Sequence, residues 1–210
     1  MPLTTIHTDT HAFQTDQIQG DDSEKRTEAL KFLIHLIGDA HQPFHTENIS
    51  RGGNDIFICF YDKCGSDSRP MELHAIWDAE IPDKHRGVSD SSKWPVLKKA
   101  GKKWADELAS STMVQDLLAN VDEECLDIGK AQECSLVWTG EANAKVCEFV
   151  LKDFPFQQTS LGDDYFEGAV PVVDEMIAKA GFRLGKWINA LAEVGGRGEA
   201  VGLVGQSGDG

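Results

Sequence analysis

EALKFLIHLIGDAHQPFH, residues 28–45, decides the fold class. Ala29, Leu30, Leu33, Ile34 and Ile37 recur at three- and four-residue intervals, the period of one α-helical stripe. Phe32 and Leu36 make the second half apolar nearly all round, so the pattern predicts a helix buried on most sides. Asp21, with Glu24 three residues on, is a capping-box-like start. Gly38 and Pro43 end the helix near His41 and let His45 fold back toward it. A carboxylate buried on such a helix is costly unless paired or bound to a cation. Asp39 therefore needs a partner, and His35, four residues earlier, points the same way.

Outward from this stretch the chain reads as mostly helical. GGNDIFICFYDKCG, residues 52–65, opens on a glycine turn and alternates through Ile56, Ile58 and Phe60, a short strand or hairpin. MELHAIWDAEI, residues 71–81, predicts a short helix ending before Pro82. Further helices are expected over 95–108, 112–126, 137–152 and 163–194, the last broken or kinked at Pro171 or Gly181. Residues 1–20 are an irregular lead-in, 21–194 form one helical domain, and glycine-rich 195–210 is expected to be a disordered tail. The expected class is all-α, with a short β-hairpin insertion. Trp77, Trp94, Trp104, Trp138 and Trp187 read as core.

With 210 residues, 40% of them hydrophobic and 26% charged, the chain can form one domain around a real core. No stretch approaches the roughly 20 apolar residues of a membrane helix. The first residues show neither the basic start nor the apolar run of a signal peptide. A net charge of −15 excludes broad electrostatic adhesion to a polyanion. A nucleic-acid substrate would have to be held by metal ions and stacking at one small site. Cys59/Cys64 and Cys125/Cys134 could close small loops in an oxidising compartment, leaving Cys147 over; five reduced thiols in the cytosol is the alternative. Asn48-Ile49-Ser50 is a glycosylation sequon that matters only if the protein is secreted.

A second His-x-x-x-Asp pair, His74–Asp78, lies in the helix of residues 71–81. Each pair offers an imidazole nitrogen and a carboxylate oxygen to one point, the donors zinc takes when a position stays open for water or substrate. One such pair is weak evidence, because i,i+4 partners are common on helix surfaces. Two pairs with His45 between them make a metal centre the leading reading, and metal-dependent hydrolysis its chemistry. His41 has Ile37 four residues before it, so a supporting or surface role suits it better. His7, His11 and His85 are expected in polar loops without ligand spacing.

These phrases carry a resemblance. EALKFLIHLIGDAHQPFH, then GGND, then LHAIWD resemble the zinc-dependent single-strand-specific nucleases and 3′-nucleotidases of fungi and plants, which are related in fold to bacterial zinc phospholipase C. SLVWTGEANAKVCEFV resembles that family's W-x-x-E segment, and AVPVVDEMIAKAGFRLGKWINAL its C-terminal helix. The match covers about residues 23–194. It implies an all-helical bundle with three zinc ions in complete members. His35 and Asp39 match a pair whose aspartate bridges two zincs; His45, His74 and Asp78 match the full protein set of another. Gly52 and Asn54 match residues at the nucleobase pocket, while Arg51 stands where an acidic residue is common. The family's leading ligand segment, which begins with a tryptophan, has no counterpart before His35, so the chain resembles a member lacking its N-terminal third. The usual partner of the cysteine matched by Cys147 lies in that same segment.

The resemblance thus implies an endonuclease that hydrolyses single-stranded DNA and RNA to 5′-phosphate products and also acts on 3′-nucleotides. It implies a secreted monomer. About one fully liganded zinc is expected here, with reduced or absent activity. A non-catalytic zinc-binding remnant and a phospholipase C-like phosphodiesterase are the rival readings. The GGN turn and the HQPFH phrase favour the nuclease branch, and no membrane-binding amphipathic stretch is evident.

Overall fold

The stripe of residues 28–37 does form a helix. In the computed structural model, which describes residues 23–61, 70–88, 93–120, 125, 127–156 and 160–204 (side chains of 118 and 194–204 excepted), helix α1 spans Ser23–Asp39. It buries Leu33 and Ile37 only. Leu30, Phe32 and Ile34 are 37%, 53% and 44% exposed, which corrects the expectation of burial on most sides. The helix lies against the rest of the protein along one stripe, and among the described residues nothing covers the opposite face.

A 3-10 turn, Pro43–Thr46, follows. Strand β1 (Phe57–Phe60) pairs antiparallel with β2 (Met71–Glu72) and parallel with β3 (Ser160–Leu161). The hairpin was expected; the parallel third strand, about 100 residues away along the chain, was not. β2 runs directly into α2, where an α-helical turn (Leu73–Ala75), a π-helical turn (Ile76–Glu80) and an α-helical segment (Ile81–Arg86) follow without a gap. The helix therefore continues through Pro82 instead of stopping before it. Ile81 N–H already reaches back five residues to Ile76 O, so the proline enters where the four-residue ladder is broken. Gly87, at φ 65°, closes the helix in the left-handed cap only glycine takes freely.

Helix α3 is Trp94–Ala109 and α4 is Thr112–Ala119, the latter capped by the Ser111 hydroxyl accepting from Val114 N–H. α4 ends well before residue 126, because Asn120 leaves helical geometry. α5 spans Ala131–Lys145 and passes into a π-helical turn, Val146–Val150; it begins six residues before the expected start at Val137. α6 is one unbroken helix, Asp163–Val204. The break expected at Pro171 or Gly181 does not occur: buried Ala169, Val173, Met176 and Ala178 hold the helix across the missing proline hydrogen bond. Its backbone stays helical into the glycine-rich stretch expected to be irregular, since extending an existing helix is far easier than nucleating one.

Two buried clusters result. One joins Phe44, Ile58, Phe60, Leu73, Trp77 and Leu161. The other joins Leu33, Ile37, Cys125, Cys134, Trp138 and Trp187. Trp94, expected in the core, is 71% exposed at the start of α3. Cys125 and Cys134 form a disulfide, Cys59 is disulfide-bonded, and Cys147 is free and exposed. No helix among the described residues is long and apolar enough to cross a membrane.

Candidate metal centre

The 3-10 turn, the glycine turn and α2 meet where the first cluster reaches the surface. Backbone φ is positive at Ser50, Arg51, Gly52 and Gly53, a run that curls the chain tightly against Phe44. A Cβ on Gly52 would lie 2.9 Å from the Phe44 carbonyl, and one on Gly53 2.8 Å from the Phe44 ring, so both positions require glycine. Leu73 N–H donates to Ile56 O at 2.8 Å, fixing α2 against this turn. The Gly52 carbonyl accepts from His74 Nδ1 at 2.6 Å, which leaves Nε2 to face Asp78. Asn54 Nδ2 lies 3.3 Å from the same ring nitrogen and donates to the Arg51 carbonyl at 2.8 Å.

His45, His74 and Asp78 converge: one ligand atom from each lies within 4.8 Å of the other two. His74 Nε2 is 3.2 Å from Asp78 Oδ2, and His45 Nε2 is 3.8 Å from Asp78 Oδ1. The two imidazoles stack with ring centroids 5.0 Å apart. Two imidazoles and one carboxylate, partly buried and open to solvent on one side, are a donor set that could hold a divalent cation with a free position. Among the described residues this is the one group of three.

The other predicted ligands stand beside it. Asp39 Oδ1 faces His45 Nδ1 at 3.5 Å, and Asp39 Oδ2 faces His35 Nε2 at 3.3 Å. His45 thus lies between two carboxylates, one at each ring nitrogen. The His35 side chain is 71% exposed, so this pair is open to solvent. His7 and His11 lie outside the described residues.

Two features escaped the sequence reading. Gln42, the cap of the 3-10 turn, donates from Nε2 to Asp78 Oδ1 at 2.7 Å and accepts the Phe44 N–H through Oε1. Its only signal was its place in HQP, between the two ligand-bearing segments. His85 is helical and half-buried, with Nε2 3.1 Å from Asp174 Oδ1, which also accepts from Trp104 Nε1 at 2.7 Å; it ties α2 and α3 to α6. His41 is buried, and burial is the main reason its pKa falls to about 4, so it stays neutral. Beside Asp78 and Gln42 opens a groove of about 390 Å³, walled by Pro43, Trp77, Met176 and Ile177.

The hydrogen bond to Asp78 raises the His74 pKa above its ordinary 6.5. Burial would push Asp78 up, but bonds from His74 and Gln42 outweigh it and hold the carboxyl below its ordinary 3.8. In the metal-free protein the His74 contribution to stability is fully present below pH 6.5 and is lost as pH rises through the raised value. That of Asp78 is present above pH 3.8 and is lost as pH falls through its lowered value. A cation reverses the histidine sign, because it needs Nε2 deprotonated. As pH is lowered, metal affinity should therefore begin to fall while still above pH 6.5, by roughly tenfold per pH unit below the raised pKa from the His74 proton alone. Chelator-competition titrations between about pH 6 and 8 measure this, and a flat profile would remove His74 from the ligand set.

Comparison with known proteins places this geometry. The chain is 32% identical to Nuclease S1 of Aspergillus oryzae over 83% of its own length and 58% of the relative's. It is 30% identical to Nuclease P1 of Penicillium citrinum over 80% of its length and 59% of that protein's. Endonuclease 2 of Arabidopsis thaliana is 29% identical over 79% of the chain and 52% of the plant protein. The chain thus spans between half and three-fifths of the length of these relatives. The family profile described as S1/P1 Nuclease matches residues 3–193, which takes in every predicted ligand. By that match, this chain belongs to the S1/P1 nuclease family.

Proposed function

We propose that the chain holds zinc on His45, His74 and Asp78 and contributes this centre to the hydrolysis of phosphodiester bonds in single-stranded DNA and RNA, giving 5′-phosphate products and acting also on 3′-nucleotides. The convergence of those three side chains carries the reading, with the family membership behind it. Bound zinc supplies a nucleophile at neutral pH and stabilises charge developing on phosphate. The Gly52 carbonyl keeps the His74 proton on Nδ1, and Gln42 holds Asp78 in line. Asp39 and His35 would offer donors to a neighbouring cation, with Asp39 facing the His45 ring between the two positions. Asn54, half-buried beside His74, and the buried Gly52 behind it are proposed to form the pocket for the substrate base. A base must be unstacked to reach them, which favours single strands.

The acidic chain suits this mode of binding, since the cation and not the surface attracts the phosphate. The Cys125–Cys134 disulfide fits an oxidising compartment and supports secretion. A monomer is the proposed state.

A non-catalytic zinc-binding protein is the second reading. It is favoured by the single three-residue group among the described residues. Zinc analysis of dialysed protein, followed by single-turnover assays on single-stranded and duplex oligonucleotides with added zinc, tests both. We expect about one tightly held zinc per chain and slow, zinc-dependent cleavage of the single strand, with 5′-phosphate ends. Retained zinc without cleavage supports the second reading; no retained zinc defeats both.

A further inference from the structure

We infer that His41 and Arg183 are positioning residues for the metal centre, acting through a buried hydrogen-bond relay that locks the turn between Asp39 and His45. The inference rests on the metal reading above and adds residues that touch no ligand atom.

The chain has to do something difficult here. α1 ends at Asp39, and within six residues the backbone must return so that His45 faces Asp39 at 3.5 Å and Asp78 at 3.8 Å. The local bonds, His41 N–H to Gly38 O and Gln42 N–H to Asp39 O, are those of any fraying helix end. They leave the Ile37 carbonyl without the amide proton of residue 41. The His41 ring takes its place, with Nδ1 2.7 Å from Ile37 O. Its other nitrogen, Nε2, lies 2.8 Å from Arg183 Nη1. An arginine only donates, so Nε2 accepts and the proton sits on Nδ1, where it closes the helix end.

Arg183 is itself fixed. Its Nη2 lies 2.9 Å from each oxygen of Glu141, and its guanidinium lies over the Trp138 ring at 5.2 Å. Glu141 also pairs with Lys179 at 3.1 Å, Lys179 with Glu175 at 2.8 Å, and Glu175 with Lys145 at 3.0 Å. Opposite charges thus alternate along the α5–α6 interface and end on His41. The two longest-range constraints on the ligand turn both come from α5 and α6: this relay, and Asn143 Nδ2 donating to the Thr46 carbonyl at 2.9 Å. Gln42 follows His41 directly, so a rotation of this turn would also pull its amide off Asp78.

A structural pin and a positioning device differ in what they move. The experiment compares zinc affinity by chelator competition, cobalt(II) absorption at the substituted site, and unfolding of the metal-free protein. It does so in Arg183→Met, Arg183→Lys, His41→Gln and Glu175→Gln. Glu175→Gln weakens two ion pairs of the same chain of charges, four links from His41, and serves as the stability control. Removing partners that orient metal ligands weakens affinity by about 10–100-fold. We expect that loss, with an altered cobalt spectrum, for Arg183→Met, a smaller loss for His41→Gln, and partial recovery in Arg183→Lys. Glu175→Gln should keep the parent's affinity and spectrum whatever its stability. Should Arg183→Met not fold, His41→Gln alone decides. Zinc affinity within twofold of the parent in the folded variants, or an equal loss in Glu175→Gln, overturns the inference. A parent that binds no zinc overturns the metal reading instead.

Discussion

Asp78→Ala is expected to empty the metal centre: zinc retained after dialysis falls from about one per chain to a background level, while the fold persists. Asp78 supplies the only carboxylate in the three-residue group. Without it two neutral imidazoles remain, and they carry no charge to offset a dication that has left water. Gln42 loses its acceptor as well, so the turn bearing His45 loosens. The affinity loss should exceed the roughly 10–100-fold that follows from removing a hydrogen-bond partner of a ligand. Asp78→Asn keeps the shape and offers one carbonyl oxygen, so an intermediate loss is expected. His45→Ala should behave as Asp78→Ala does. Asp39→Ala should be milder, because Asp39 meets the centre only through the far nitrogen of His45. Zinc measured per chain on equally dialysed samples separates these cases. An Asp78→Ala protein that keeps its zinc would sink the ligand assignment.

The helical class and the meeting of ligand segments could be read from spacing, because both depend on neighbours three and four residues apart. His74 and Asp78 share a face in any helix, even one with a π-turn between them, and the structure keeps them 3.2 Å apart. The return of His45 was expected from Gly38 and Pro43: α1 ends at Asp39, and Pro43 opens the 3-10 turn that carries His45 back. What spacing could not supply is anything set by distant partners. Phe32 and Ile34 look buried by composition, yet they are 53% and 44% exposed. Residues 160–161 carry no strand signal of their own and are extended because β1 offers an edge. Pro171 should end a helix, yet α6 runs through it because buried residues on both sides hold it straight through the defect. Trp94 fails in the opposite direction: a large apolar residue at a helix start with no partner to bury it. Gln42 and Arg183 owe their importance to partners 36 and 142 residues away.

Phe44→Ala should produce the largest loss of stability among single changes near the centre, about 3–5 kcal/mol for a fully buried phenylalanine. Phe44 is 0% exposed and joins the core to the ligands. Its ring stacks on His74 with centroids 5.9 Å apart and meets Trp77 edge-on at 6.4 Å. The Gly53 backbone lies so close that the void left by alanine cannot be filled from that side without unwinding the left-handed run at residues 50–53. The cavity should therefore persist, which is the condition for the upper part of that range. In a domain of this size the change corresponds to a fall in Tm of roughly 6–20 °C. Zinc affinity should fall with it, because the His74 ring loses the surface that keeps Nε2 directed at Asp78. Phe44→Leu fills most of the volume and should lose less than half as much stability. Because it removes the flat face under His74, it should lose zinc affinity out of proportion to its stability. Urea unfolding of the metal-free proteins, with zinc titrations on the same samples, reads both quantities. A metal-free Phe44→Ala protein within about 1 kcal/mol of the parent, a change typical of surface and not core sites, would mean that the ligand turn rests on something other than this ring.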